Sequence, residues 1–105
     1  MTGQFVKVCR VEDILAGATR VVEIEGRTIL LAKLNGEVFA LQNMCTHDGG
    51  LLGDADIIDG QIECPRHGAR FDIKTGEATQ MPAVAELDTY EVKIEDGDVY
   101  VAVDK

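Results

Sequence analysis

Three dipeptides constrain this chain more than any other feature: Asn35-Gly36, Asp59-Gly60 and Asp96-Gly97. A two-residue hairpin turn needs positive φ at both central positions, and Asn or Asp followed by Gly tolerates this best. The runs around them are short, rich in Val, Ile and Tyr, and partly alternating: "FVKV", "TRVVEIE", "TILLAKL", "EVFAL", "TYEVKI" and "VYVAV". Tyr90, Val92 and Ile94 share one face of a strand, and Val99, Val101 and Val103 share one across the following turn. Glu25-Gly26 is a weaker fourth turn signal. The one helix candidate, "VEDILAG", is too short to carry an architecture and reads as a turn. The expectation is an all-β, antiparallel fold in a single domain spanning residues 1–105.

Residues 43–82 interrupt this pattern. Six of the eleven glycines and both prolines fall there, and hydrophobic periodicity is weak. A loop-rich insert of that kind points to an organiser other than an apolar core. The core itself must be aliphatic, because hydrophobic residues make up 46% of the chain while aromatics are 5% and Trp is absent. Burial stabilises a domain of this size only marginally, so a bound metal could also contribute to folding.

The insert contains "CTHDGGLLGDADIIDGQIECPRHG", which holds both histidines and two of the three cysteines. Each His stands close to a Cys: Cys45-Thr46-His47, then, after sixteen intervening residues, Cys64-Pro65-Arg66-His67. Thiolate and imidazole are the usual ligands of zinc and of iron–sulfur centres. The "DIIDGQIE" hairpin, turning at Asp59-Gly60, brings the second pair back beside the first. Zinc accepts two Cys and two His, although zinc fingers usually place Cys with Cys and His with His. One Cys and one His from each loop suits a two-iron centre better, with both Cys on one iron and both His on the other. Cys9, in the strand pattern "FVKVCRV", reads as a small packed hydrophobe.

Ten basic residues against nineteen acidic give a net charge of −9. The basic residues are scattered singles, which argues against a nucleic-acid partner. Acidity of this degree suits solubility or partners with basic docking patches. No apolar run approaches the ~18 residues of a membrane helix, and the N-terminus lacks the basic-then-apolar layout of a signal peptide. An odd cysteine count argues against a secreted disulfide scaffold, so a cytoplasmic location is expected.

C-x-H, sixteen residues, then C-x-x-H resembles the Rieske iron–sulfur family, in which Cys₂ and His₂ ligate the two irons of a [2Fe–2S] cluster. "CPRHGARFD", "TGE" and Pro82 also match the family's pattern, and the likeness covers nearly the whole chain. It implies a β-sandwich-like antiparallel base with a loop-rich cluster-binding subdomain at about 43–82. It implies one cluster per chain, with Cys45 and Cys64 on the inner iron and His47 and His67 on the outer. Gly68 would allow close backbone approach, Gly49 and Gly50 a tight loop, Pro65 a stiffer one, and Pro82 a cover over the cluster. Respiratory and photosynthetic members carry a loop disulfide and hydroxyl donors to the cluster. The corresponding positions here are Gly50 and Arg66, then Ala69 and Phe71, which implies a potential near the lower end of roughly −150 to +300 mV.

What the resemblance implies about function is a soluble one-electron carrier, a ferredoxin rather than an enzyme. It would pass electrons from a flavin-dependent reductase to the terminal Rieske oxygenase of a ring-hydroxylating system. Both histidines are used by the cluster, which leaves none for the 2-His-1-carboxylate iron of an oxygenase. Other settings are a small Rieske-like subunit of a nitrite reductase or similar complex, or a ferredoxin of iron–sulfur assembly. The docking surface would be the edges of His47 and His67, with Leu51 and Leu52 as apolar contacts and Asp48, Asp54 and Asp56 steering a basic partner.

Overall fold

The structure is a computed structural model that describes residues 5–15, 17–24, 26–43, 56–64, 69–80 and 87–102. Its strands are β1 (Phe5–Arg10), β2 (Thr19–Ile24), β3 (Arg27–Leu34), β4 (Glu37–Gln42), β5 (Asp56–Ile58), β6 (Gln61–Glu63), β7 (Arg70–Asp72), β8 (Ala78–Gln80), β9 (Thr89–Glu95) and β10 (Asp98–Ala102). All pairings are antiparallel, in two sheets ordered β1-β10-β9-β4-β3-β2 and β5-β6-β7-β8. The end strands β1 and β2 of the larger sheet also touch, so that sheet curls toward a barrel. The stretch "VEDILAG" contributes a single 3-10 turn at Val11–Asp13.

The expected hairpin turns form as anticipated. Asn35, Asp59 and Asp96 have φ of 53°, 50° and 53°, and the glycine after each is also positive, at 82°, 76° and 80°. Both central residues therefore occupy the left-handed region, whose twist matches that of the flanking strands. The turns fix the registers Leu34↔Glu37, Ile58↔Gln61 and Glu95↔Asp98.

Two cores result, and β3 and β4 belong to both. Ile29 and Leu31 join Val38, Ala40, Val99 and Val101 inside the curled sheet. Leu30 and Ala32, on the alternate positions, join Leu41, Ile62, Phe71, Ile73 and Leu87 between the two sheets. The unbroken apolar run "ILLA" is thus a strand covered on both faces. Each such side chain contributes about 1.5–3 kcal/mol by leaving water. A bulge between Lys7 and Cys9 turns the sequence neighbours Val8 and Cys9 toward the same core. Cys9 does pack as a hydrophobe there, and burial pushes its thiol pKa up.

On β9, Tyr90 and Val92 pack inward as anticipated, but Ile94 near the strand end is 42% exposed. The β face from Val99 continues to the buried Val101, and Val103 lies outside the described residues. The segment expected to be mainly loops contains a four-stranded sheet of its own. Its strands have three residues each, too short for a periodic signal to register.

Candidate metal centre

The small sheet has two ends, and its register shows what each does. At one end the partners Asp56↔Glu63, Glu63↔Arg70 and Arg70↔Gln80 stand in a row across all four strands. Three connections meet this row. Residues 43–55 enter at Asp56, residues 64–69 leave Glu63 and return to Arg70, and residues 81–88 leave from Gln80. The first contains Cys45 and His47, the second Cys64 and His67, and the third Pro82. Antiparallel pairing therefore brings the roots of both Cys/His segments to one edge.

Of the four expected ligands, Cys64 is among the described residues; Cys45, His47 and His67 lie outside them, as do Gly49, Gly50, Pro65, Gly68 and Pro82. Cys64 is a buried, free thiol. Its backbone N–H donates to the Ala69 carbonyl at 2.7 Å, continuing the β6–β7 ladder by one rung and closing the base of the second loop. Alternation places Cys64 and Ala69 on the inner side with Ile62 and Phe71, in the core between the sheets. Ala69 and Phe71 are fully buried, and neither side chain can donate a hydrogen bond to a sulfur.

The roots of the loops are tied down by groups that the sequence alone does not single out. Asn43, two residues before Cys45, is 3% exposed, and its Nδ2 donates to Thr28 Oγ1 at 3.2 Å. Gln42 and Asp88 clasp twice: Gln42 N–H donates to the Asp88 carbonyl at 2.8 Å, and Asp88 N–H to Gln42 Oε1 at 3.0 Å. Leu87 N–H donates to the Gly76 carbonyl at 2.7 Å. The β7–β8 turn is held by Asp72 Oδ1, which accepts from Lys74 N–H at 2.8 Å and Thr75 N–H at 3.2 Å.

The donor set suits an iron–sulfur centre on chemical grounds. Cys64 offers a soft thiol donor beside a water-poor wall of Ile62, Ala69 and Phe71, where a cluster would be shielded from solvent. Among the described residues no group of three or more His, Cys, Asp and Glu side chains stands together to hold a metal ion.

The comparisons with known proteins agree. Residues 4–91 match the family model described as the Rieske [2Fe-2S] domain. The chain is 38% identical over 95 residues to the ferredoxin component of the naphthalene 1,2-dioxygenase system of Pseudomonas putida, covering 90% of this chain and 91% of that protein. It superposes with a TM-score of 0.88 and 31% identity on a chain from the complex of reduced oxygenase and oxidised ferredoxin in carbazole 1,9a-dioxygenase, covering 93% and 92% of the two chains. A protein from Mycobacterium tuberculosis, assigned as the small subunit of an NADH-dependent nitrite reductase, shares the fold at a TM-score of 0.88 with 18% identity, covering 100% and 98%. With the family model matched over most of its length, a nearly all-β architecture and two Cys/His segments rooted at one sheet edge, the chain belongs to the Rieske [2Fe–2S] family.

Proposed function

We propose that this protein is the one-electron carrier of a ring-hydroxylating oxygenase system, taking electrons from a flavin-dependent reductase and handing them to a terminal oxygenase. The observation that carries the proposal is the row Asp56, Glu63, Arg70 and Gln80, at which the segments containing Cys45/His47 and Cys64/His67 both join the small sheet. We assign Cys45 and Cys64 to one iron and His47 and His67 to the other. The cluster supplies reversible one-electron chemistry when bound.

The protein's part is to set the charge and surroundings of that centre. Two thiolates and two neutral imidazoles leave an oxidised two-iron, two-sulfide unit neutral, and reduction makes it −1. Four thiolates would make the change −2 to −3, so the mixed set takes an electron more readily, by at least roughly 250 mV, about 6 kcal/mol. Ala69 and Phe71 withhold the hydroxyl donors that would raise the potential further. The pairing with a ferredoxin–oxygenase complex supports delivery to an oxygenase. Among the described residues no helix is long and apolar enough to cross a membrane.

Anaerobic purification of the chain alone tests this. The expected product is red-brown, with two irons and two acid-labile sulfides per chain and an EPR signal after dithionite reduction that changes in His47→Cys. A colourless zinc protein would refute the assignment. The nitrite-reductase architecture favours a second setting, a permanent subunit. In that case the chain would co-purify from its native cell with a large catalytic partner rather than alone.

A further inference from the structure

Among the described residues, one opposite-charge pair stands at the loop end of the small sheet. Glu63 and Arg70 face each other across β6 and β7, with Arg70 Nε 3.5 Å from Glu63 Oε2 and side chains 27% and 28% exposed. Glu63 directly precedes Cys64, and Arg70 directly follows Ala69. The pair therefore brackets the Cys64–Ala69 hydrogen bond at the base of the second loop. Strand alternation puts the two side chains on the opposite face from Ile62 and Phe71, with Glu63 one peptide from the cysteine and Arg70 across the ladder from Glu63.

Two features make Arg70 unusual. It is the only cation within β5, β6, β7 and β8, in a chain of net charge −9. Its Nε is also buried with no hydrogen-bond partner, because the contact with Glu63 lacks hydrogen-bonding geometry. A partly desolvated ion pair is a weak source of stability, since the loss of hydration offsets the attraction. Its field on a neighbouring site is less easily lost, because salt screens partly buried charges little.

We propose that Arg70 is a positioning residue for electron transfer that offsets the Glu63 carboxylate at the base of the second cluster loop and so keeps that charge from disfavouring the reduced state. This rests on the assignment of Cys64 and His67 as ligands. Reduction adds one negative charge to the centre. A fixed guanidinium favours that charge, and a fixed carboxylate opposes it. Removing the guanidinium leaves Glu63 uncompensated beside Cys64, and removing the carboxylate leaves Arg70 uncompensated.

The test is a spectroelectrochemical titration of purified holoprotein at pH 7 and low ionic strength, with dithionite as reductant. Arg70→Gln should move the oxidised-to-reduced ratio at fixed potential about threefold toward oxidised, a lowering of about 30 mV for one electron. Glu63→Gln should move it the other way, and Arg70→Lys, which keeps the charge, should stay close to wild type. Non-additivity in the double variant would measure the coupling of the pair. Variants that melt earlier but keep the wild-type midpoint would show a merely structural pair and overturn the proposal. If Arg70→Gln does not fold, Glu63→Gln decides, and an unchanged or lowered midpoint there overturns it equally. Iron and sulfide are measured first: a wild type without cluster refutes the ligand assignment itself, whereas loaded variants with unmoved midpoints refute this inference alone.

Discussion

Phe71 has no exposed surface and lies in the same core as Cys64 and Ala69, opposite Ile62 on β6 and Ala78 on β8. Phe71→Ala should cost about 3–5 kcal/mol in a denaturant titration. Phe71→Tyr retains the ring and adds a hydroxyl near the cysteine. It should raise the reduction midpoint, measured by voltammetry, and an unmoved midpoint would remove the missing hydroxyl as a cause of low potential. Cys9 gives a pH prediction. Burial raises its pKa in the folded state above that of the unfolded chain. The folded protein then binds more protons than the unfolded chain between the two values. This contribution to stability is complete below the unfolded pKa and is lost as pH rises through the folded one. Thermal melts from pH 7 to 10 should show an alkaline decline that is smaller in Cys9→Ala.

At the scale of elements, the glycine of the "TGE" stretch separates turn strain from close packing. Gly76 has φ of +78°, and a Cβ there would lie 2.2 Å from the Leu87 carbonyl oxygen. Gly26 has a similar φ of +82° but open space around it. Gly26→Ala should therefore cost about 1 kcal/mol for the left-handed backbone alone. Gly76→Ala should cost about 3 kcal/mol, because the chain at Leu87 must also move. Equal losses in urea unfolding would show that the Gly76–Leu87 approach adds nothing. The turns at Asn35, Asp59 and Asp96 were legible because a two-residue signal suffices to specify them. The strands β7 and β8 were not. "RFD" and "ATQ" become strands because "QIE" beside them offers a ladder and because Phe71 has a core to enter. Neither condition can be read locally.

At the scale of the whole molecule, the excess of acidic side chains bears on association more than on folding. If basic partners are steered by it, raising ionic strength from about 0.01 to 0.5 M should slow reduction by the reductase by about tenfold in stopped-flow measurements. Rates independent of salt would eliminate steering. Since one Cys/His segment leaves β4 of the larger sheet and the other leaves β6 of the small one, the cluster should tie the two sheets together. Removing the iron should lower the melting temperature by about 5 °C or more. The candidate ligands stand out in composition, because both histidines of the chain lie within three residues of a cysteine. The anchors Asn43, Gln42 and Asp88, and the Glu63–Arg70 pair, do not, since their partners are distant in sequence or appear only once a register is set.

Local chemistry was enough to determine the class of this protein. Asn-Gly and Asp-Gly turns demand hairpins, and paired thiol and imidazole donors demand a metal, and both demands are settled within a few residues. The division of β3 and β4 between two cores was decided only in three dimensions. "ILLA" carries no mark of which residue faces the curled sheet's interior and which faces the small sheet, because all four are apolar. That choice follows from strand register and from what packs on each face, and it seats the small sheet, with its row of loop roots, against the barrel.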